Sequence, residues 1–457
     1  MACCLLAAHH PAAAASVLMI SVDGMKPEYV TQADAHGLKI PFLRSMLAQG
    51  TYADGVTGVW PTITYPSHTT LLTGVSPAQH GIYSNLEFDP KHTFGESWFW
   101  YAAQIRTPTL WQAAHQAGLK TASVGWPASV GATAVDVLIP EYWRVFRPTE
   151  DLNPSDRDLI AALSRPEGLL SGMQARLGPY LNGNDISLES DAVKTRFALD
   201  ILNTQKPAFM TVHLSSLDET EHEHGPFSGE ANADLEALDA MLARLAAAAR
   251  ANDPHAVTLV VSDHGFEPLT HKVNLYAAFL RAGLIQASVD PQTKALKVLS
   301  WKAEPWPSGG MAAIMLHDPA DAATASQVRT LLHTLAADER YGIGEVLEQD
   351  AIKQRGGFPE ASFLVAMKPG YTPAYWPTTL PSSDAASEAV SGLPGTPGGH
   401  GFSPEDPQMR ASFFIAGTGI AQHRDLGVID MRRIAPTVAQ LLHVKLPSAG
   451  AEPLPLR

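Results

Sequence analysis

The chain is short of the features that would let it cross a membrane, form disulfides or wrap a polyanion. No apolar run reaches the roughly 18–20 residues of a membrane-spanning helix. Only two of its 457 residues are cysteine, Cys3 and Cys4, so a mature chain cleaved after them has no disulfides. Cysteine usage is therefore compatible with periplasm and cytosol alike. Basic residues are outnumbered, 32 Lys+Arg against 46 Asp+Glu, for a formal charge of −14. That argues against polymeric nucleic acid, whose binding rests on basic contacts to phosphates. No Lys or Arg occurs from Ser45 to Pro90. An anionic substrate would need a local positive site, and bound metal ions commonly supply one. Residues 1–15 also lack Lys and Arg, are apolar, and end in an Ala run. They resemble the apolar region and small-residue cleavage site of a secretory signal without its charged start, which implies a periplasmic or secreted protein.

What is present is ample material for a core: 45% of residues are hydrophobic and 17% charged. Short apolar runs alternate with helical patterns, the signature of an α/β fold with a mostly parallel central sheet flanked by helices. Buried strands are predicted at 16–22 (SVLMISV), 208–214 (AFMTVHL), 256–261 (AVTLVV) and 411–416 (ASFFIA). Helices are predicted at 230–251, 110–117 and 431–442. Between 273 and 397 the composition turns rich in Pro, Gly and Trp. This stretch reads as an inserted smaller subdomain, closed by a flexible Gly/Pro loop over 392–399, with 16–272 and 398–457 as the catalytic core.

Three predicted strands stop at polar residues. Asp23 follows the first, Asp218 comes shortly after the second, and Asp263-His264 ends the third. Open α/β sheets bind ligands just beyond the carboxyl ends of their strands, so these groups are expected to meet. Asp218 and His222 are four apart in DETEH, and His400 sits in GGHGF. Three carboxylates and three imidazoles suit two divalent ions, Zn²⁺ most of all, with Mn²⁺ or Fe as alternatives. Taken singly, an Asp after a strand is an ordinary turn or cap residue. The joint placement carries the metal reading.

A second cluster is PTITYPSH, residues 61–68, with Asn85 downstream in GIYSN. Pro66 and Ser67 are good helix-opening residues, which puts Thr64 just before a helix N-terminus, where amides and the helix dipole favour phosphate. A Thr hydroxyl becomes a useful nucleophile beside a divalent ion. In isolation this segment reads equally as strand–loop–helix punctuation.

Together, Asp23-Gly24, PTITYPSH…TG…HGI…N, DETEHEHGP, SDHG and GGHG occur in an order that resembles the nucleotide pyrophosphatase/phosphodiesterases of the alkaline phosphatase superfamily. The resemblance implies an alkaline phosphatase-like fold and hydrolysis of small phosphodiesters or pyrophosphates through a phospho-threonine. It implies that Asp218, His222 and His400 hold one ion, and that Asp23, Asp263 and His264 hold the other beside Thr64, whose oxygen is a further ligand. Asn85, 21 residues after Thr64, would bind a nonbridging phosphate oxygen, and Thr62 is the competing hydroxyl. Where nucleotide-cleaving members stack the base on an aromatic residue upstream of the Asp-x-x-x-His motif, this chain carries His213; Tyr65 is the remaining aromatic face. That departure leaves open a nucleotide, a lipid head group or another small diester. The cation-free 45–90 segment favours a diester, with one charge at the reacting phosphorus, over a monoester dianion. A phosphomonoesterase, a phosphonate hydrolase and a metal-binding protein without catalysis remain as rivals.

Overall fold

The computed structural model describes residues 15–92, 97–144, 153–292, 295–376, 390–393 and 397–457. The cysteines and nearly all of the signal-like segment lie outside the described residues, as do 394–396 of the Gly/Pro loop.

Runs of β-branched and large apolar residues form a central eight-stranded sheet. Its strands in chain order are β1 (Val17–Val22), β2 (Thr51–Tyr52), β3 (Thr121–Val124), β4 (Val137–Ile139), β5 (Phe209–Leu214), β6 (Val257–Val261), β7 (Phe413–Gly417) and β8 (Arg424–Asp425). In space they run β8-β2-β7-β6-β1-β5-β3-β4. β6, β1, β5, β3 and β4 are mutually parallel, while β7 pairs antiparallel with both β6 and β2. The inner strands β1, β5 and β6 are buried on both faces, which is why their sequences read as continuous apolar runs and not as alternations. The expected strands and helices are present within a residue or two. The 110–117 pattern forms Leu110–Gln116 and the 230–251 pattern Gly229–Asn252, whereas the 431–442 pattern divides into a 3₁₀ turn, Met431–Arg433, and a helix, Ile434–Leu441.

Register aligns the chemistry. Ser21 lies opposite both His213 and Val261, and Val22 opposite Leu214, so β1, β5 and β6 end side by side. One hydrophobic cluster packs helices Pro41–Gln49, Leu188–Gln205 and Gly229–Asn252 on one face of the sheet. Another packs Thr64–Thr73, Leu110–Gln116 and Ile434–Leu441 on the other.

A separate four-stranded antiparallel sheet runs Ala303–Ser308, Met311–Leu316, Phe363–Met367, Ile343–Glu348. Pro305 and Pro307 sit in its outermost strand, where the missing N–H groups leave no ladder bond broken on the open side. The tight turn between its first two strands reaches the core: Gly310 N–H donates to the His400 carbonyl at 2.8 Å. A Cβ on Gly309, whose φ is +61°, would stand 2.4 Å from that same oxygen. Gly398–Gly399, expected within a flexible loop, pairs antiparallel with Glu267–Pro268.

Candidate active site

Thr64 opens a helix, Thr64–Thr73, one residue further into the helix than the sequence suggested. Ile63 in the capping position offers no side-chain oxygen, and the first-turn amide of Tyr65 is instead satisfied by Asn85 Oδ1 at 2.9 Å. That bond ties Asn85 to the helix start and leaves its amide donors for the cleft that both Thr64 and Asn85 line. His68, one turn on, bridges the Thr64 carbonyl and the Ser21 hydroxyl, each at 2.8 Å. Thr62 is different: it is fully buried and its hydroxyl donates to the Phe402 carbonyl at 2.8 Å. Of the two hydroxyls, only that of Thr64 belongs to a residue lining the cleft.

The acids and imidazoles converge. His264 Nε2 lies 3.0 Å from Asp263 Oδ2, 3.4 Å from Asp23 Oδ1 and 3.9 Å from Asp218 Oδ1. His400 Nε2 is 3.6 Å from Asp218 Oδ1 and 3.2 Å from His222 Nε2, which itself lies 3.5 Å from Asp218 Oδ2. Two triads have ligand atoms close enough for one cation each: Asp23-Asp263-His264, and Asp218-His264-His400. His264 thus stands between the two groups. His222 reaches the second through His400 and Asp218.

The donor set fits cations. Asp23 Oδ1, Asp218 Oδ1, Asp263 Oδ2 and both ring nitrogens of His264 are buried without a hydrogen-bond partner among the described residues. Orphaned buried acceptors of this kind are costly unless something positive satisfies them. His222 and His400 present Nε2 to the cluster while Nδ1 approaches a carbonyl, Gly398 and Thr62 respectively, each at 3.2 Å. A carbonyl on Nδ1 fixes the tautomer that leaves Nε2 as a lone pair, the usual support of a metal-binding imidazole.

Electrostatics agree with the geometry. Burial, with the Asp263 and Asp218 carboxylates beside it, pushes the Asp23 carboxyl well above its ordinary value, and burial pushes Asp218 up to about 7. Burial also opposes charge on Asp263, but His264 and His68 hold it well below the usual carboxylate range. Burial, followed by the neighbouring imidazoles, drives His400 far down, and burial lowers His222. A divalent ion bound here would favour the ionised form of Asp23 and Asp218 and would take the neutral imidazoles of His222 and His400 as ligands.

Two expected substrate contacts fall elsewhere. Tyr65 is 1% exposed, and its hydroxyl donates to Glu141 at 2.5 Å while its ring packs against Trp98 and Trp100. As the second residue of the helix it turns into the core, so it offers no face to the cleft. His213 is 1% exposed behind the site, with Nε2 3.5 Å from Asp23 Oδ2 and 3.8 Å from Glu141 Oε2. It stands against the Asp23 and Glu141 carboxylates and is not among the residues lining the cleft. The aromatic residues that do line the cleft, a cavity of about 470 Å³, are Trp98 and Tyr375. Lys272, exposed on the short strand His271–Val273, is its single Lys or Arg among the described residues. A cation from far along the chain does fold in, although 45–90 supplies none. Neither Trp98, Tyr375 nor Lys272 stands near a motif that would have revealed it.

The family profile described as Type I phosphodiesterase / nucleotide pyrophosphatase matches residues 17–378. Ectonucleotide pyrophosphatase/phosphodiesterase family member 1 of Homo sapiens is 24% identical over 271 residues, 57% of this chain and 24% of that protein. Venom phosphodiesterase 2 of Crotalus adamanteus is 24% identical over 264 residues, 56% of this chain and 27% of that one. The chain spans about a quarter of the length of these curated relatives. Human ectonucleotide pyrophosphatase/phosphodiesterase 5 shares the fold, with a TM-score of 0.62 at 15% identity over 97% of this chain and 96% of that one. An inactive form of the murine counterpart, solved in complex with AMP, gives 0.62 at 15% identity over 96% of each chain. With a profile match from the first core strand to beyond the second sheet, the chain belongs to the type I phosphodiesterase/nucleotide pyrophosphatase family.

Proposed function

We propose that the chain is a metal-dependent hydrolase of phosphodiester or pyrophosphate bonds, with Thr64 as its nucleophile. The observation that carries this reading is the set of buried, unpartnered carboxylate and imidazole atoms gathered beside the one cleft-lining threonine of the PTITYPSH segment. Asp23, Asp263 and His264 would hold one ion, together with the Thr64 oxygen; Asp218, His222 and His400 would hold the other. Zn²⁺ suits this carboxylate–imidazole set best. Bound there, such ions supply charge stabilisation for the attacking and departing oxygens and lower the pKa of a hydroxyl or water.

The protein's own groups do the rest. The Thr64 hydroxyl gives up its proton and its oxygen attacks phosphorus in line as the opposite P–O bond breaks. The leaving oxygen departs with its substituent and takes up a proton. Water then attacks the phospho-threonine, releasing the phosphate product and returning the hydroxyl to Thr64. Asn85, with Oδ1 engaged by Tyr65 N–H, donates from its amide to a nonbridging oxygen. The Nδ1 contacts to the Gly398 and Thr62 carbonyls keep His222 and His400 in one tautomer.

The substrate is a small phosphate ester. The relatives' names and the AMP complex support a nucleotide-bearing one, and Trp98 and Tyr375 supply aromatic surface in the cleft. Relatives named as ecto- and venom enzymes support a site of action outside the cytoplasm, periplasmic or secreted, and no helix among the described residues is long and apolar enough to cross a membrane. The second sheet, within residues 273–397, would serve as an inserted subdomain that braces the His400 loop.

The test is a comparison of bis-p-nitrophenyl phosphate with p-nitrophenyl phosphate on metal-loaded enzyme. Faster cleavage of the diester is expected. A clearly faster monoester would overturn the diester reading, and metal binding without turnover of either would overturn the enzyme reading.

A further inference from the structure

Tyr65 and His213, the two residues that the sequence pointed toward substrate, come together behind the cluster, and Glu141 joins them. Tyr65 N–H donates to Asn85 Oδ1 at 2.9 Å, and the Tyr65 hydroxyl donates to Glu141 Oε1 at 2.5 Å. The other carboxylate oxygen, Glu141 Oε2, lies 3.8 Å from His213 Nε2, which in turn is 3.5 Å from Asp23 Oδ2. A continuous line of buried side chains thus runs from Asn85 to a carboxylate of the acid–imidazole cluster.

The two oxygens of Asp23 face different neighbours. Oδ1 is buried without a hydrogen-bond partner among the described residues and stands 3.4 Å from His264 Nε2, while Oδ2 faces His213. A carboxylate can turn about its last bond, so a positive group behind one oxygen decides how the other is presented. On His213, Nδ1 is buried and unpartnered among the described residues, whereas Nε2 faces two carboxylate oxygens. The tautomer with an acceptor in reach therefore carries its proton on Nε2. At 3.5 Å the pair is an electrostatic contact, longer than a formed hydrogen bond, in which Nε2–H turns its positive end toward Oδ2. The ring is held from its other side: His68 meets it edge-on with centroids 4.5 Å apart, and His68 Nε2 lies 2.8 Å from the Ser21 hydroxyl. Ser21 is the residue opposite His213 in the paired strands β1 and β5.

We propose that His213 is a positioning residue for the metal centre: its Nε2–H holds Asp23 by Oδ2 and so presents Oδ1 to the ion that Asp23, Asp263 and His264 would share. The proposal rests on the metal reading of those three residues. Glu141, anchored by the Tyr65 hydroxyl, steadies the same ring nitrogen from beside. A ring that merely filled the core would serve equally well as a hydrocarbon, and that difference can be measured.

The test challenges the zinc-loaded full chain with buffers of falling free Zn²⁺ and counts the ions retained per chain, a readout that needs no turnover. His213→Phe keeps a ring and removes the donor. It is expected to release one ion at about tenfold to a hundredfold higher free Zn²⁺ than the unsubstituted chain, and the other within about threefold. His213→Gln, whose amide nitrogen reaches about as far as Nε2, is expected to hold both ions within about threefold of the unsubstituted chain. His213→Val, smaller than the imidazole and suited to a strand, gives the same reading if the larger ring does not fold. Two ions held as tightly without the donor as with it would overturn the proposal. So would equal weakening of both ions, or His213→Gln as weak as His213→Phe. Absence of tightly held zinc from the unsubstituted chain would overturn the metal reading and this proposal with it.

Discussion

Thr62 and Thr64 are two residues apart, and exchanging each for Ala is expected to separate a structural hydroxyl from the proposed catalytic one. Thr62→Ala removes the donor to the Phe402 carbonyl in a fully buried setting. An abandoned buried acceptor costs about 1–3 kcal/mol. Unfolding entropy scales with length at about 2.1 cal/mol/K per residue, so a chain of this size gives roughly 1 kcal/mol per degree, and Tm should fall by about 1–3 °C. Activity should survive within a fewfold. Thr64→Ala acts the other way. Thr64 is half-buried at the helix start, so Ala there should change stability by no more than about 0.5 kcal/mol. Loss of the nucleophile should cost on the order of a thousandfold or more in kcat. Thermal melts and steady-state hydrolysis of bis-p-nitrophenyl phosphate on the same preparations read both quantities. An active Thr64→Ala enzyme beside an inactive but well-folded Thr62→Ala enzyme would refute the assignment.

Two further outcomes follow from the site. Burial raises the Glu141 carboxyl to about 7, so it contributes stability that is present in acid and lost as pH rises through that value. Metal-free protein should lose about 1–3 kcal/mol between roughly pH 5 and 8, and Glu141→Gln should flatten part of that slope in denaturant titrations; an unchanged slope would remove Glu141 from the explanation. Lys272→Ala, at the exposed cleft cation, should leave Tm unchanged. It should lower kcat/KM for a nucleoside triphosphate about threefold more than for bis-p-nitrophenyl phosphate. Equal losses would deny Lys272 a role in reading a second charge.

The sequence exposed the sheet and the acid–imidazole set for the same reason. β1, β5 and β6 are apolar throughout and stop at polar residues, so strand ends and ligand candidates were read from one pattern. What remained hidden depends on orientation and distance. Both faces of β5 are buried, so alternation could not reveal that His213 points behind the site toward Asp23 and Glu141. Tyr65 follows the cleft-lining threonine directly, yet one helical step turns it into the core. The position of His264 between two triads is a matter of ring packing, with His400 stacked on it at 3.6 Å. Trp98, Lys272 and Tyr375 reach the cleft from segments remote from any motif, and only tertiary folding brings them there.

The central claim is that the clustered acids and imidazoles hold two cations needed for turnover. Elemental analysis of the purified chain, with bis-p-nitrophenyl phosphate hydrolysis measured before and after chelation, tests it most directly. Close to two divalent ions per chain are expected, with activity that disappears on chelation and returns on adding Zn²⁺, and fewer ions in Asp263→Asn. Full activity from metal-free protein, or undiminished metal and activity in Asp263→Asn, would contradict it.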